Sequence, residues 1–83
     1  MAILRIEIPK STLNNFYRQS PTPADKAVVK ATLKSVLADP NIGEEVPFRQ
    51  YQDAYVTWGG AWRIVYQLGN PIIHVLQIER ESD

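Results

Sequence analysis

An α+β fold is what this sequence predicts: one mostly antiparallel four-stranded sheet with two helices packed on one face. Three observations carry the prediction. Residues 3–8, ILRIEI, alternate apolar and charged side chains with a period of two. Residues 11–38 hold two stretches of helical spacing, separated by the breaker SPTPAD. Residues 48–79 hold three β-rich runs separated at WGG and LGNP. The element order is therefore β-α-α-β-β-β, and strands grouped after helices argue for α+β rather than for alternating βα units.

Each element has its own warrant. In ILRIEI, Leu4, Ile6 and Ile8 share one face and Arg5 and Glu7 the other, as in a half-buried strand, and Pro9 ends it. STLNNFYRQS (11–20) reads as a short helix capped by Ser11 or Thr12, with Leu13, Phe16 and Tyr17 at helical spacing. The second helix opens at Thr22 as N-cap, with Pro23 in its first turn and Asp25 where the helix dipole favours a negative charge, and runs to about residue 38. Val29, Leu33, Val36 and Leu37 form its buried stripe, with Val28 and Thr32 at the border. Lys26, Lys30 and Lys34 recur on another face, which reads as a solvated helix surface in preference to a phosphate-tracking stripe. ADPNIGEE ends this helix and forms a loop.

FRQYQDAYVTW (48–58) is the second strand. AWRIVYQL (61–68) is the third, with Trp62, Ile64, Tyr66 and Leu68 alternating against Arg63, Val65 and Gln67. PIIHVLQIE (71–79) is apolar almost throughout, as a central strand buried on both faces would be. The short LGNP connection makes a hairpin of the last two.

Composition bounds the possibilities. Eighty-three residues make one domain, 1–83, and the apolar and charged fractions of 45% and 22% are those of a soluble globular protein. There is no cysteine, which removes disulfides and thiolate metal sites and fits a cytoplasmic protein. No apolar stretch reaches the roughly 20 residues of a membrane span. MAILRIEIPK places Arg5 and Glu7 inside its apolar run, unlike a secretory leader. The formal charge is zero, but residues 1–43 carry six basic and three acidic side chains and residues 44–83 three and six. Any contact with nucleic acid is thus expected to be local rather than steered by an overall basic field.

The chemistry narrows to arginine. A single histidine, His74, and carboxylate pairs without imidazole partners predict no metal and no cofactor. Two glycines in WGGAW precede no helix, so no phosphate loop is expected. Arg63 falls opposite the bulky Trp62, Ile64 and Tyr66, on what should be the open face of the sheet. It is either a solvated strand residue paired with Asp53 or Glu79, or one of two arginines, with Arg80, that converge on a phosphate. A guanidinium fork suits a phosphoryl group.

Together, the opening ILRIEIPKS, the LADPN that ends the second helix and WRIVYQLGNPIIHVLQIER resemble the RelE/ParE toxin superfamily over nearly the whole chain. The most specific part is aromatic-Arg-Ile-Val-Tyr followed by a hairpin strand ending in Arg. The resemblance implies the toxin of a bacterial type II toxin–antitoxin system, a ribosome-dependent mRNA endoribonuclease held inactive by a cognate antitoxin. In that chemistry the 2′-hydroxyl attacks the adjacent phosphate, one group takes a proton, another gives one, and arginines stabilise the charge. The family's two arginines match Arg63 and Arg80. The chain departs from the pattern in its neutral charge, in YVTWGG where many members carry lysines, and in ESD after Arg80 where many place a tyrosine or histidine. A proton carrier would then be Tyr66, His74 or Glu79, and the activity weakened. The resemblance leaves two alternatives: an inert relative that only binds its antitoxin, and a ParE-like inhibitor of DNA gyrase.

Overall fold

A computed structural model describes residues 4–81. Ile3, expected in the first strand, and Ser82 and Asp83 lie outside the described residues. The elements are β1 (Arg5–Glu7), α1 (Lys10–Arg18), α2 (Pro23–Ala38), a 3₁₀ turn at Pro40–Ile42, β2 (Glu44–Glu45), β3 (Ala54–Gly59), β4 (Trp62–Gln67) and β5 (Ile72–Arg80). They form an α+β fold with a five-stranded mixed sheet in the order β1-β5-β4-β3-β2.

Two expectations about the sheet are corrected here. The sheet has five strands rather than four, because Glu44 and Glu45 in the expected loop pair antiparallel with Val56 and Tyr55 of β3. It is mixed, because β1 enters parallel to β5 beside Ile72–His74, while every other pair is antiparallel. The second strand is also shorter than 48–58: β3 begins at Ala54, and Phe48 and Tyr51 instead form an isolated bridge closing a turn. Arg49 and Asp53 both adopt left-handed φ angles in this segment, and that conformation interrupts an extended strand.

The face reading of β4 stands. Trp62, Ile64 and Tyr66 are buried and meet the helices through Phe16, Val29 and Val36. Phe16 meets Trp62 edge to face at 5.0 Å between centroids. Leu37, expected in the buried stripe, is exposed at the helix end. The opposite face is not open along its whole length: Ala54, Val56 and Val65 are buried there under Val46 and Phe48 of the β2–β3 connection.

The long apolar run of β5 has a different cause from the one expected. Val65 pairs with Gln77 but Tyr66 with Val75, so Leu76 is an extra residue at a bulge. The bulge shifts the phase of the strand: Ile73 and Val75 face the helices before it and Ile78 after it, while Leu76 joins the cluster on the other face. Two offset alternations read as one continuous apolar stretch.

The start of α2 follows expectation in full. Thr22 and Asp25 form a capping box, the Thr22 hydroxyl accepting from Asp25 N–H at 3.1 Å and the Asp25 carboxylate from Thr22 N–H at 2.9 Å. The start of α1 does not. Its N-cap is Pro9, with no side-chain cap, and Thr12 turns instead to the Leu76 carbonyl at 3.3 Å. The reason lies in the sheet. β1 covers only three residues of β5, which leaves its outer backbone groups from Leu76 onward without a strand beside them. Gln19, at the end of α1, stands in for one: its amide donates to the Ile78 carbonyl at 2.8 Å and accepts from Arg80 N–H at 2.8 Å. Side chains of a helix thus close an edge that would otherwise invite pairing with another chain. Gln19→Leu removes both bonds and is expected to lower stability by about 1–2 kcal/mol, read as a lower urea midpoint at constant slope. An unchanged midpoint would show that water replaces both bonds without loss.

Tyr66 fixes the far end of α2. Its hydroxyl donates to the Pro40 carbonyl at 2.8 Å and accepts from Gly43 N–H at 3.2 Å. Any Cβ at position 43 would run into that hydroxyl, so glycine alone permits the approach.

Candidate functional site

The tight reversal between β3 and β4 sets the geometry. Gly59 pairs with Trp62, so Gly60 and Ala61 form a two-residue turn, with Gly60 at φ 56° in the left-handed region. The register then puts Trp58 directly opposite Arg63. The Ala54 carbonyl accepts from Val46 N–H, so residues 54, 56 and 58 turn their backbone groups away from β4. Trp58–Arg63 is therefore a non-hydrogen-bonded pair, the kind whose side chains approach most closely.

On β5, Glu79 is the residue opposite Arg63. Arg63 Nη2 lies 3.5 Å from Glu79 Oε2 and 3.4 Å from Gln77 Oε1. Of the two acids expected as partners, Glu79 is the one that pairs. Both side chains remain partly open, 40% and 45% exposed, so the pair is accessible and contributes little to stability. The Arg63 Nε is buried and has no hydrogen-bond partner among the described residues. Val46, Pro47, Phe48, Val56 and Val65 join Trp58 and Arg63 around a groove of about 250 Å³. Trp58 is half exposed at its rim.

The other candidate residues lie elsewhere. Arg80 is opposite Trp62, and so on the helix side of the sheet. Its guanidinium stacks on the Trp62 ring at 4.8 Å and reaches Asp25 Oδ2 at 3.2 Å. The expected convergence of Arg63 and Arg80 is thus corrected: adjacent strand positions, 79 and 80, point to opposite faces, and the register gives Glu79 to Arg63 and Arg80 to Trp62. Tyr66 is fully buried, and burial raises its hydroxyl above the ordinary phenol value, so it holds the fold together rather than meeting a ligand. His74 shares the Arg63 face but lies opposite Gln67, four positions along β4, on the order of 13 Å away. Its Nε2 is 3.6 Å from Glu7 Oε2 on the neighbouring β1.

Asp25 explains what Arg80 does. Its pKa is lowered, first by the Thr22 backbone N–H, then by the Trp62 indole, which lies outside strict hydrogen-bonding geometry, and also by Arg80. A carboxylate whose folded pKa is depressed stabilises above its unfolded value, about 4, and loses that contribution as pH falls through the folded value. Asp25→Asn is therefore expected to lower the melting temperature at pH 7, with the gap to wild type closing as pH falls below about 4. A gap independent of pH would refute the charge as its cause.

Trp58 is the residue that sequence reasoning overlooked. The signal was present: a two-residue turn at Gly60 and Ala61 fixes the register and sets Trp58 opposite Arg63. The class these features define is a small α+β protein whose sheet carries an arginine–glutamate pair and an exposed tryptophan on the face away from the helices. Comparison with protein-family models, curated proteins and solved structures finds no match to this chain. Among the described residues, no helix is long and apolar enough to cross a membrane, and no group of three potential metal ligands comes together.

Proposed function

We propose that the chain, residues 1–83, is a RelE/ParE-type toxin of a type II toxin–antitoxin system that cuts ribosome-bound mRNA in the cytoplasm through Arg63 and Glu79, restrained by a cognate antitoxin. The observation that carries this reading is the accessible cross-strand pair: Arg63 Nη2 and Glu79 Oε2 are 3.5 Å apart on the sheet face opposite the helices. A guanidinium and a carboxylate at that separation supply the two functions an attack by a 2′-hydroxyl needs. Glu79 takes the hydroxyl proton as the O2′–P bond forms and the P–O5′ bond breaks, and water returns a proton to the departing 5′ oxygen. Arg63 offsets the negative charge that grows on the phosphoryl oxygens. Of the three possible proton carriers, Tyr66 is buried and His74 is far from Arg63, which leaves Glu79.

A second reading has its own support. Arg80 lies on the helix side, so the site holds one arginine where the resemblance implies two. A binding-only relative that engages its antitoxin without cutting RNA would look the same. The two separate cleanly: translating ribosomes are incubated with the purified protein and the mRNA 5′ ends mapped. Cuts in the decoding site support the nuclease; intact mRNA refutes it and is the outcome expected of the binding-only relative.

A further inference from the structure

We infer that the groove between Trp58 and the β2–β3 connection is a seat for one unpaired nucleobase of a single-stranded RNA, stacked on the Trp58 indole with its phosphate at Arg63. This deepens the RNA reading of the same site and rests on it. Trp58 is 51% exposed, an uncommon placement for so large an apolar surface. It is also the direct neighbour of Arg63 in a close, non-hydrogen-bonded pair. The groove they share, with Phe48, Val56 and Val65 in its walls, holds about 250 Å³. That falls below the roughly 300–1,000 Å³ of pockets for drug-sized ligands and suits a single planar ring.

Charge favours this occupant. Arg63 supplies the groove's positive charge: its guanidinium stays 40% exposed beside Glu79, and its buried Nε has no hydrogen-bond partner among the described residues. The larger depression beside it, about 480 Å³, is lined by Glu45 and Asp53 and repels phosphate. The chain as a whole is neutral, so affinity from counterion release along many phosphates is not available to it. Stacking on an exposed aromatic ring, with one phosphate contact, is how such a protein holds single-stranded RNA at moderate salt.

The test uses fluorescence, because Trp58 is exposed and Trp62, the other tryptophan, is buried. A 2′-O-methyl RNA tetranucleotide, which cannot be cut, is titrated into the full chain, with an abasic tetranucleotide and an acidic extended peptide as controls. The expected result is quenching by the RNA, about tenfold weaker binding for Trp58→Ala measured by anisotropy, and near wild-type binding for Trp58→Phe. A salt slope near one phosphate contact is expected as well. Equal affinity for the abasic RNA, unchanged affinity in Trp58→Ala, or quenching by the peptide and not the RNA would each overturn the base seat. Cleavage of ribosome-bound mRNA is scored separately: base binding without cleavage sinks the nuclease and leaves the seat, while cleavage without stacking does the reverse.

Discussion

Trp62→Ala is expected to lower the unfolding free energy by about 3–5 kcal/mol. Trp62 is fully buried at the junction of α1, α2 and the sheet, packed edge to face on Phe16 and within the cluster of Val29, Ile64, Val75 and Ile78. Truncation opens a cavity lined by that cluster. It also removes the ring on which Arg80 stacks and a group that helps hold the Asp25 charge. Domains of this size retain roughly 5–15 kcal/mol in total, with small ones near the lower end, so the variant should be substantially unfolded at 37 °C. Urea or thermal unfolding followed by circular dichroism checks this. Trp62→Phe keeps most of the volume and should lose far less. A loss below about 1.5 kcal/mol for the alanine variant would mean that the helix–sheet junction repacks around the missing ring.

For the proposed nuclease, Arg63→Ala is expected to slow mRNA cleavage about 100-fold or more, since that is the usual loss when one stabiliser of transition-state charge is removed. Glu79→Gln should slow it by a comparable factor, because the amide cannot accept the proton. The double variant should fall little below either single one, as expected for groups that act as a unit. Arg63→Lys should not restore the rate, since an ammonium cannot replace the planar fork. None of these changes should shift stability by more than about 1 kcal/mol, because the pair is partly solvated. Arg80→Ala should behave in the opposite way, lowering stability through Asp25 and Trp62 while leaving the rate nearly intact. A catalytic loss in Arg80→Ala without a stability loss would mean that the two arginines act together after all, by some rearrangement of β5.

Much of the fold was legible because its signals are local. The Thr22–Asp25 capping box needs only four neighbouring residues, and the structure has both its hydrogen bonds. The alternation in WRIVYQ reports one strand with one buried face, and Trp62, Ile64 and Tyr66 are that face. The run IIHVLQIER was harder, since a bulge at Leu76 superimposes two phases and disguises a strand with alternating faces as one buried on both. Glu44 and Glu45 carry little strand propensity and pair because β3 presents a free edge to them. Thr12 and Gln19 read as helix residues, and nothing nearby in the sequence announces that they complete the edge of β5 some sixty residues later.

The sequence by itself determined the α+β class, the two helices, the hairpin of β4 and β5, and the place of Arg63 on the face away from the helices. These follow from periodicity, capping and turn chemistry, which act over a few residues. The tertiary structure alone decided which charged groups meet. Strand register gives Glu79 and Trp58 to Arg63, and takes Arg80 through the sheet to Asp25 and Trp62. A shift of one residue along a strand exchanges its two faces, so the residues that share a site depend on pairings between distant segments that no local pattern encodes.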